Sequence, residues 1–244
     1  MIDTHAHLDA LEDPKGAIER ARTAGVDRIV AIGSGLASTE ATLALAAAEE
    51  AVSVAAGVHP HQAADGESLS DLAAVIDGKV VAIGEIGLDF YRDYAPRDEQ
   101  RRVFAEQLAL ASDLDKPVIV HSRAADEETA AALAEFDGTV VLHCFSSPGL
   151  LPVALERDYY VSFAGNVTYP KAEELRAAAV QVAPERILAE TDCPYLAPQP
   201  VRGKTNEPAY VVHTVASLAA TRGDDPAELA GRIDANAAAA FGLR

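Results

Sequence analysis

The sequence predicts an α/β fold, a (β/α)8 barrel of the TIM type with extra helices after its last strand. Three observations predict it. Short Val/Ile-rich runs recur eight times along the 244 residues, with longer helix-like stretches between them. The runs show little polar alternation, which is the pattern of parallel strands covered on both faces. No Gly-rich phosphate fingerprint follows the first run, where the chain reads THAHLDA instead, so an open doubly wound sheet is disfavoured against a closed barrel.

In order, the strands are expected near 2–5, 28–32, 52–57, 80–85, 117–121, 139–143, 160–163 and 187–190. Of the segments between them, 97–114 is the clearest helix. Phe104, Leu108 and Ala111 fall at helical spacing beside Val103, Leu110 and Leu114, and Lys116-Pro117 ends the run. Beyond the eighth strand two helices are expected, roughly 206–222 and 226–241, covering the outside of the barrel. The stretch Ala197-Pro198-Gln199-Pro200 follows a strand end and reads as a long active-site loop rather than a linker. Residues 1–244 are therefore expected to form one domain, a common length for such a barrel.

Charge is the unusual quantity. Lys and Arg number 20 against 38 Asp and Glu, a net charge of −18, and only five of the basic residues are Lys. Such a surface repels polyanions at long range, which argues against a dedicated nucleic-acid-binding module but not against an enzyme that engages a nucleic acid end. It also fits a high-salt cytosol, where repulsion is screened within a few ångströms. No basic segment followed by an apolar run opens the chain, and no stretch of about 18 uncharged apolar residues occurs. A cytoplasmic protein is expected, with nothing that points to a membrane or an obligate protein partner. Cys144 and Cys193 lie outside any CxxC pair and are expected to be small buried residues.

Six metal-competent side chains sit at expected strand ends: His5 and His7 on the first, Glu85 on the fourth, His121 on the fifth, His143 on the sixth and Asp192 after the eighth. His5 and His7, two apart on an extended chain, point to the same side. Any one of these alone is more simply a structural histidine, a helix cap or an ion-pair partner. Four of the seven histidines and two carboxylates at the same topological position on five strands, on the face where such barrels keep their chemistry, point to metal. Four imidazoles and two carboxylates exceed what one tetrahedral ion needs, so two divalent ions sharing a carboxylate are expected, and the mixed ligands suit Zn, Mn or Mg.

The motifs HAHLD, GEIGLDFY, VIVHSR, HCFS, SFAGNVTYPK and ETDCPYLAPQPVRGKTNEPAYV, in this order from Met1 almost to the end, resemble the TatD family of metal-dependent deoxyribonucleases within the amidohydrolase superfamily. The resemblance implies that His5 and His7 hold one ion and His121 and His143 the other. It implies that Glu85 bridges them, and that Asp192 binds the first ion beside the attacking water. It also implies hydrolysis at a DNA 3′ end, with single-stranded DNA as the expected partner. Two departures stand out: Ser147 follows HCFS where the family has glycine, and 237–240 lacks an arginine often found there.

Catalytic roles are expected for Asp192, as acceptor of the water's proton, and for Glu85. His59, in GVHPH after the third strand, resembles a family position near the substrate phosphate, with a turn histidine beside Pro60 as the alternative, whereas His61 and His213 read as structural or solvated. Arg92, Arg123, Arg202 and Lys204 lie in loops on the metal-bearing face; Arg123 is the foremost candidate for a phosphate contact. The residues themselves establish only hydrolysis at a metal centre. Ester or amide hydrolysis, such as removal of a D-amino acid from tRNA, remains open, as do a single-metal deaminase and a non-catalytic metal-binding scaffold. Glu85 weighs against the deaminase, and the retained Asp192 against the scaffold.

Overall fold

The computed structural model describes residues 1–76 and 78–243. Eight parallel strands form one sheet in chain order: β1 (Ile2–Ala6), β2 (Arg28–Ser34), β3 (Val52–Gly57), β4 (Val80–Asp89), β5 (Val118–Arg123), β6 (Val140–Leu142), β7 (Tyr160–Phe163) and β8 (Ile187–Ala189). The sheet curls until β1 meets the segment after β8. Thr4 Oγ1 donates to Ala189 O (3.0 Å), Asp192 N to His5 O (2.9 Å) and His7 N to Cys193 O (2.9 Å). An isolated parallel bridge joins Ala6 to Cys193. The barrel is thus nearly closed, and its seam is made by the residues around His5 and Asp192 rather than by a ladder between β1 and β8.

Helices α1 (Pro14–Thr23), α2 (Leu36–Ala48), α3 (Leu69–Ala74), α4 (Arg97–Asp113), α5 (Asp126–Leu133), α6 (Leu151–Glu156) and α7 (Glu173–Gln181) alternate with the strands. Every residue of β1, β6, β7 and β8 is buried, as strands covered on both faces should be. The C-terminal pair is α8 (Val211–Arg222), entered by a 3-10 turn at Pro208–Tyr210, and α9 (Pro226–Phe241). Asp225 caps α9 by accepting from Ala227 N and Glu228 N, and Asn236 Nδ2 ties the helix to Pro184 O and Ile187 O. Among the described residues no helix is long and apolar enough to cross a membrane.

The strand ends differ from expectation where they meet the site. β4 continues to Asp89, which leaves Glu85 inside the strand rather than at its end. It keeps its ladder with β5 because Gly87 (φ +138) permits close approach: a Cβ there would stand 2.1 Å from His121 O. β6 and β8 stop short of His143 and Asp192. The chain then passes through Cys144 (φ +42) and Asp192 (φ +55), non-glycine residues in the left-handed region at a cost of roughly 1–3 kcal/mol each. β1 and β4 each carry one residue more than their partner strand, between Asp3 and Ala6 and between Gly84 and Ile86. These bulges contain His5 and Glu85, and a bulge re-aims the side chains it contains.

On α4, Val103, Phe104, Leu108 and Ala111 are buried as expected, but Leu114 is exposed and two glutamines join the buried face. Gln107 exchanges two hydrogen bonds with the backbone of Val58, next to His59 (2.6 and 3.0 Å). Gln100 accepts from Asp89 N (2.9 Å) and donates to Ala95 O (2.8 Å). One helix therefore fixes the strand-end segments of both β3 and β4.

Candidate metal centre

All six expected ligands converge at the C-terminal mouth of the barrel around Glu85. Its two carboxylate oxygens face different histidine pairs. Oε2 lies 3.5 Å from both His5 Nε2 and His7 Nε2, and Asp192 Oδ1 closes that side at 3.8 and 3.5 Å from the same nitrogens. Oε1 lies 2.6 Å from His121 Nδ1 and 2.7 Å from His143 Nε2. Within the pairs, the nitrogens of His5 and His7 are 3.3 Å apart and those of His121 and His143 3.2 Å. Ligands bound at 2.0–2.1 Å to a tetrahedral ion stand about 3.4 Å from one another, so the spacing on the Oε2 side suits an ion, whereas Glu85 Oε1 stands at hydrogen-bond distance from His121 and His143. Three overlapping groups have the geometry to hold a metal: His5, His7 and Glu85; His5, His143 and Asp192; and His59, Glu85 and His121.

Behind these donors lie three acidic residues that sequence reasoning missed. Glu190 Oε1 accepts from Cys144 N (2.7 Å) and lies 3.1 Å from His143 Nδ1, which leaves the His143 Nε2 lone pair facing the centre. Asp89 Oδ2 lies 3.5 Å from His121 Nε2 and 2.8 Å from His61 Nε2, while its Oδ1 accepts from Tyr91 N and Arg92 N. Asp3 accepts from Thr191 Oγ1 and from the backbone of Thr191 and His5, tying β1 to the segment after β8. The motifs GLD and ETD held a signal for two of these, since each places a second carboxylate close to a metal-competent residue.

His59 Nε2 stands 3.4 Å from Glu85 Oε1, so His59 does reach the centre. Its Nδ1 accepts from the backbone N–H of His61 (3.1 Å), and a backbone amide can only donate. The neutral ring therefore carries its proton on Nε2 and presents a donor, not a lone pair, to the mouth. Burial, outweighing the nearby Glu85, lowers the His59 pKa and favours this neutral form.

The electrostatics call for cations. Burial works against a charged His143, but Glu85 and Glu190 outweigh it and raise its pKa well above the ordinary value. Burial likewise opposes ionised Glu85, yet His143 and His59, with hydrogen bonds from the histidines, hold its carboxyl well below the usual range. Asp192 is lowered against its burial by His7, His5 and His143. Asp3 is the exception: burial pushes it up to about 8 despite its hydrogen bonds from Thr191, so near neutral pH it is mostly uncharged. Among the described residues no Lys or Arg forms an ion pair with Glu85, Asp89, Glu190 or Asp192. Buried carboxylates need a compensating charge, and the donors present fit divalent ions.

The centre lies at the floor of a cleft of about 1150 Å³ whose walls include His61, Arg92, Tyr94, Arg123, Asn166 and Tyr195. Arg123 and Arg92 thus reach the mouth as expected, whereas Arg202 and Lys204 do not line it; Arg202 lies over the Tyr169 ring at 4.0 Å instead. His61 is held by its bond to Asp89, a structural role, and also lines the cleft, whereas Cys144, expected to be buried, is only half-buried in the cleft wall. Cys193 is buried as expected. Both sequence departures are accommodated: Ser147 Oγ donates to Ser122 O (2.9 Å), and Ala237 and Ala240 pack in the core.

The chain matches the profile of the TatD related DNase family over residues 2–242. It is 37% identical over 230 residues to the metal-dependent hydrolase YabD of Bacillus subtilis, covering 90% of each chain. It is 39% identical over 238 residues to the 3′-5′ ssDNA/RNA exonuclease TatD of Cronobacter sakazakii, covering 92% of this chain and 90% of that one. The crystal structure of the TatD homolog YJJV from Escherichia coli superposes with a TM-score of 0.94 at 31% identity, over 100% of this chain and 98% of that chain. With the barrel and its histidine–carboxylate cluster, these matches show that the chain belongs to the TatD related DNase family and is a metal-dependent hydrolase.

Proposed function

We propose that the chain is a nuclease that releases nucleotides from the 3′ end of a single-stranded nucleic acid with two divalent ions, Zn, Mn or Mg, as cofactors. His5, His7 and Asp192 would hold one ion and His121 and His143 the other, with Glu85 common to both. The observation that carries this reading is the division of Glu85, one oxygen toward each histidine pair. The relative from Cronobacter sakazakii supports the substrate class.

When bound, such ions supply an activated water at neutral pH and take up charge on the phosphoryl oxygen. The chain's own residues do the rest. Asp192, held ionised beside His5 and His7, accepts the proton of the attacking water at Oδ1. His59 offers its Nε2–H, and Arg123 its guanidinium, to the non-bridging oxygens of the phosphate. Glu190 keeps His143 in the tautomer that faces the centre, and Asp89 places a negative charge 3.5 Å from His121 Nε2.

The test is a metal-replete screen of short single-stranded DNA, aminoacylated RNA and small phosphodiesters in parallel. Release of nucleoside monophosphates from the 3′ end is expected. Release of free amino acid without nucleotide would replace this reading by ester hydrolysis.

A further inference from the structure

The tyrosines are distributed unevenly over the molecule. Tyr159 and Tyr160 are buried and Tyr169 and Tyr210 half-buried, whereas Tyr91, Tyr94 and Tyr195 expose 65%, 66% and 58% of their surface. All three exposed rings stand at the metal-bearing mouth. Tyr94 and Tyr195 line the cleft itself, and Tyr91 lies against the guanidinium of Arg123, a lining residue, at 4.1 Å. A ring left in water contributes little to the fold, since aromatic side chains stabilise mainly by burial.

Tyr94 and Tyr195 also occupy the two ends of a continuous row of rings. Tyr195 packs edge-on to His7 (centroids 6.0 Å apart), His7 to His5 (5.1 Å), and His5 stacks on His143 (4.0 Å). The row continues to His121 (5.5 Å), His61 (6.4 Å) and Tyr94 (4.8 Å). The middle of the row is the cluster around Glu85, where the scissile phosphate would sit. Both end rings are carried on fixed backbone. Tyr195 N donates to Asp192 O, and Tyr195 O accepts from Asn206 Nδ2. The Tyr94 segment is pinned on one side by Gln100 at Ala95 and on the other by Asp89 at Tyr91 and Arg92.

Resting on the nuclease reading above, we propose that Tyr94 and Tyr195 are stacking platforms for the bases of the two nucleotides that flank the scissile phosphate. Every base offers a π-face, so such platforms tolerate any sequence but require the base to be unpaired. In a chain with a net charge of −18, the strand end would be held by two stacked bases rather than by a track of phosphate contacts. The cleft thereby selects frayed or single-stranded ends over duplex ends.

The experiment combines variants with base-deleted substrates. Wild type, Tyr94→Ala, Tyr195→Ala and the two Tyr→Phe variants, all loaded with Mn2+, act on single-stranded oligonucleotides that are intact, abasic at the 3′-terminal nucleotide, or abasic at the penultimate one. Each alanine variant is expected to lose roughly 10- to 100-fold in kcat/KM on the intact strand, the range that follows from losing one base–aromatic stack. One variant should show no further loss on the terminal abasic strand and the other none on the penultimate one, with the phenylalanine variants recovering most of the activity. Equal losses on all three substrates, or none on the intact strand, would overturn the assignment while leaving the nuclease reading intact. If wild type releases no nucleotide from any strand, both readings fall together.

Discussion

On the Oε2 side of Glu85 stand His5, on β1, and His7, just beyond its end, with Asp192 brought across the barrel seam. On the Oε1 side stand His121, on β5, and His143, just past the end of the adjacent β6, their outer nitrogens facing the buried carboxylates of Asp89 and Glu190. The first side is positioned by backbone: Asp192 N bonds to His5 O, and His7 N to Cys193 O. On the second, Glu190 sets the tautomer of His143, while His121 Nε2 stands 3.5 Å from Asp89. The same barrel mouth thus orients donors in two ways, and the two sides should fail differently when perturbed.

The largest expected effect removes whatever both sides hold in common. Chelation should abolish hydrolysis and leave the far-ultraviolet circular dichroism nearly unchanged, because the ligands sit on a barrel whose core packs independently of them. Melting of the whole chain on chelation would show the ions to be structural. Next in size, Glu85→Gln should lower bound metal well below two equivalents per chain and cut activity by roughly 10³-fold. His121→Asn, which touches one side, should retain more metal. Two full equivalents in Glu85→Gln at ordinary affinity would dissolve the division of the site on which the comparison rests.

A smaller effect separates the two sides. Glu190→Gln should weaken metal binding by roughly 10- to 100-fold through His143, with activity returning at high metal concentration. A titration showing unaltered affinity would mean that His143 is oriented without Glu190, as His5 and His7 are oriented without any such carboxylate.

The difference between the sides also explains what could be read from the sequence. The eight strands, α4 and both C-terminal helices were legible because apolar periodicity reports burial directly. The six converging donors were legible because they recur at one topological position. Asp89, Glu190 and Asp3 were not, since a carboxylate beside a ligand in sequence looks like any other acidic residue until the fold shows it buried against an imidazole. Gln100 and Gln107 escaped for a related reason: they occupy a buried helix face where periodicity expects apolar residues, and only their bonds to the backbone of Asp89 and Val58 justify them. The bulges at His5 and Glu85 left no mark in composition either, although they decide where both side chains point.

The smallest expected effect concerns salt, and it contrasts the two arginines in the cleft wall with the acidic exterior. A protein that tracks along single-stranded nucleic acid loses roughly 0.7 log units of affinity per log unit of salt for each neutralised phosphate, and about 0.9 on duplex. Arg92 and Arg123 are the only Lys or Arg among the described residues lining the cleft. Many of the other arginines are engaged by acidic neighbours on the helices, as Arg102 is by Glu99 and Glu106. At most about two phosphates can then be neutralised by side chains, and the salt slope of kcat/KM should lie near −1.4 at its steepest. The exterior would meanwhile repel the remainder of the strand, so attack should begin at an end and a circular single strand should resist. End-labelled linear DNA beside an unlabelled circle, followed over time at several potassium chloride concentrations, measures slope and direction together. A slope corresponding to six or more phosphates, or rapid nicking of the circle, would locate a binding track on the exterior and reverse the contrast between cleft wall and surface.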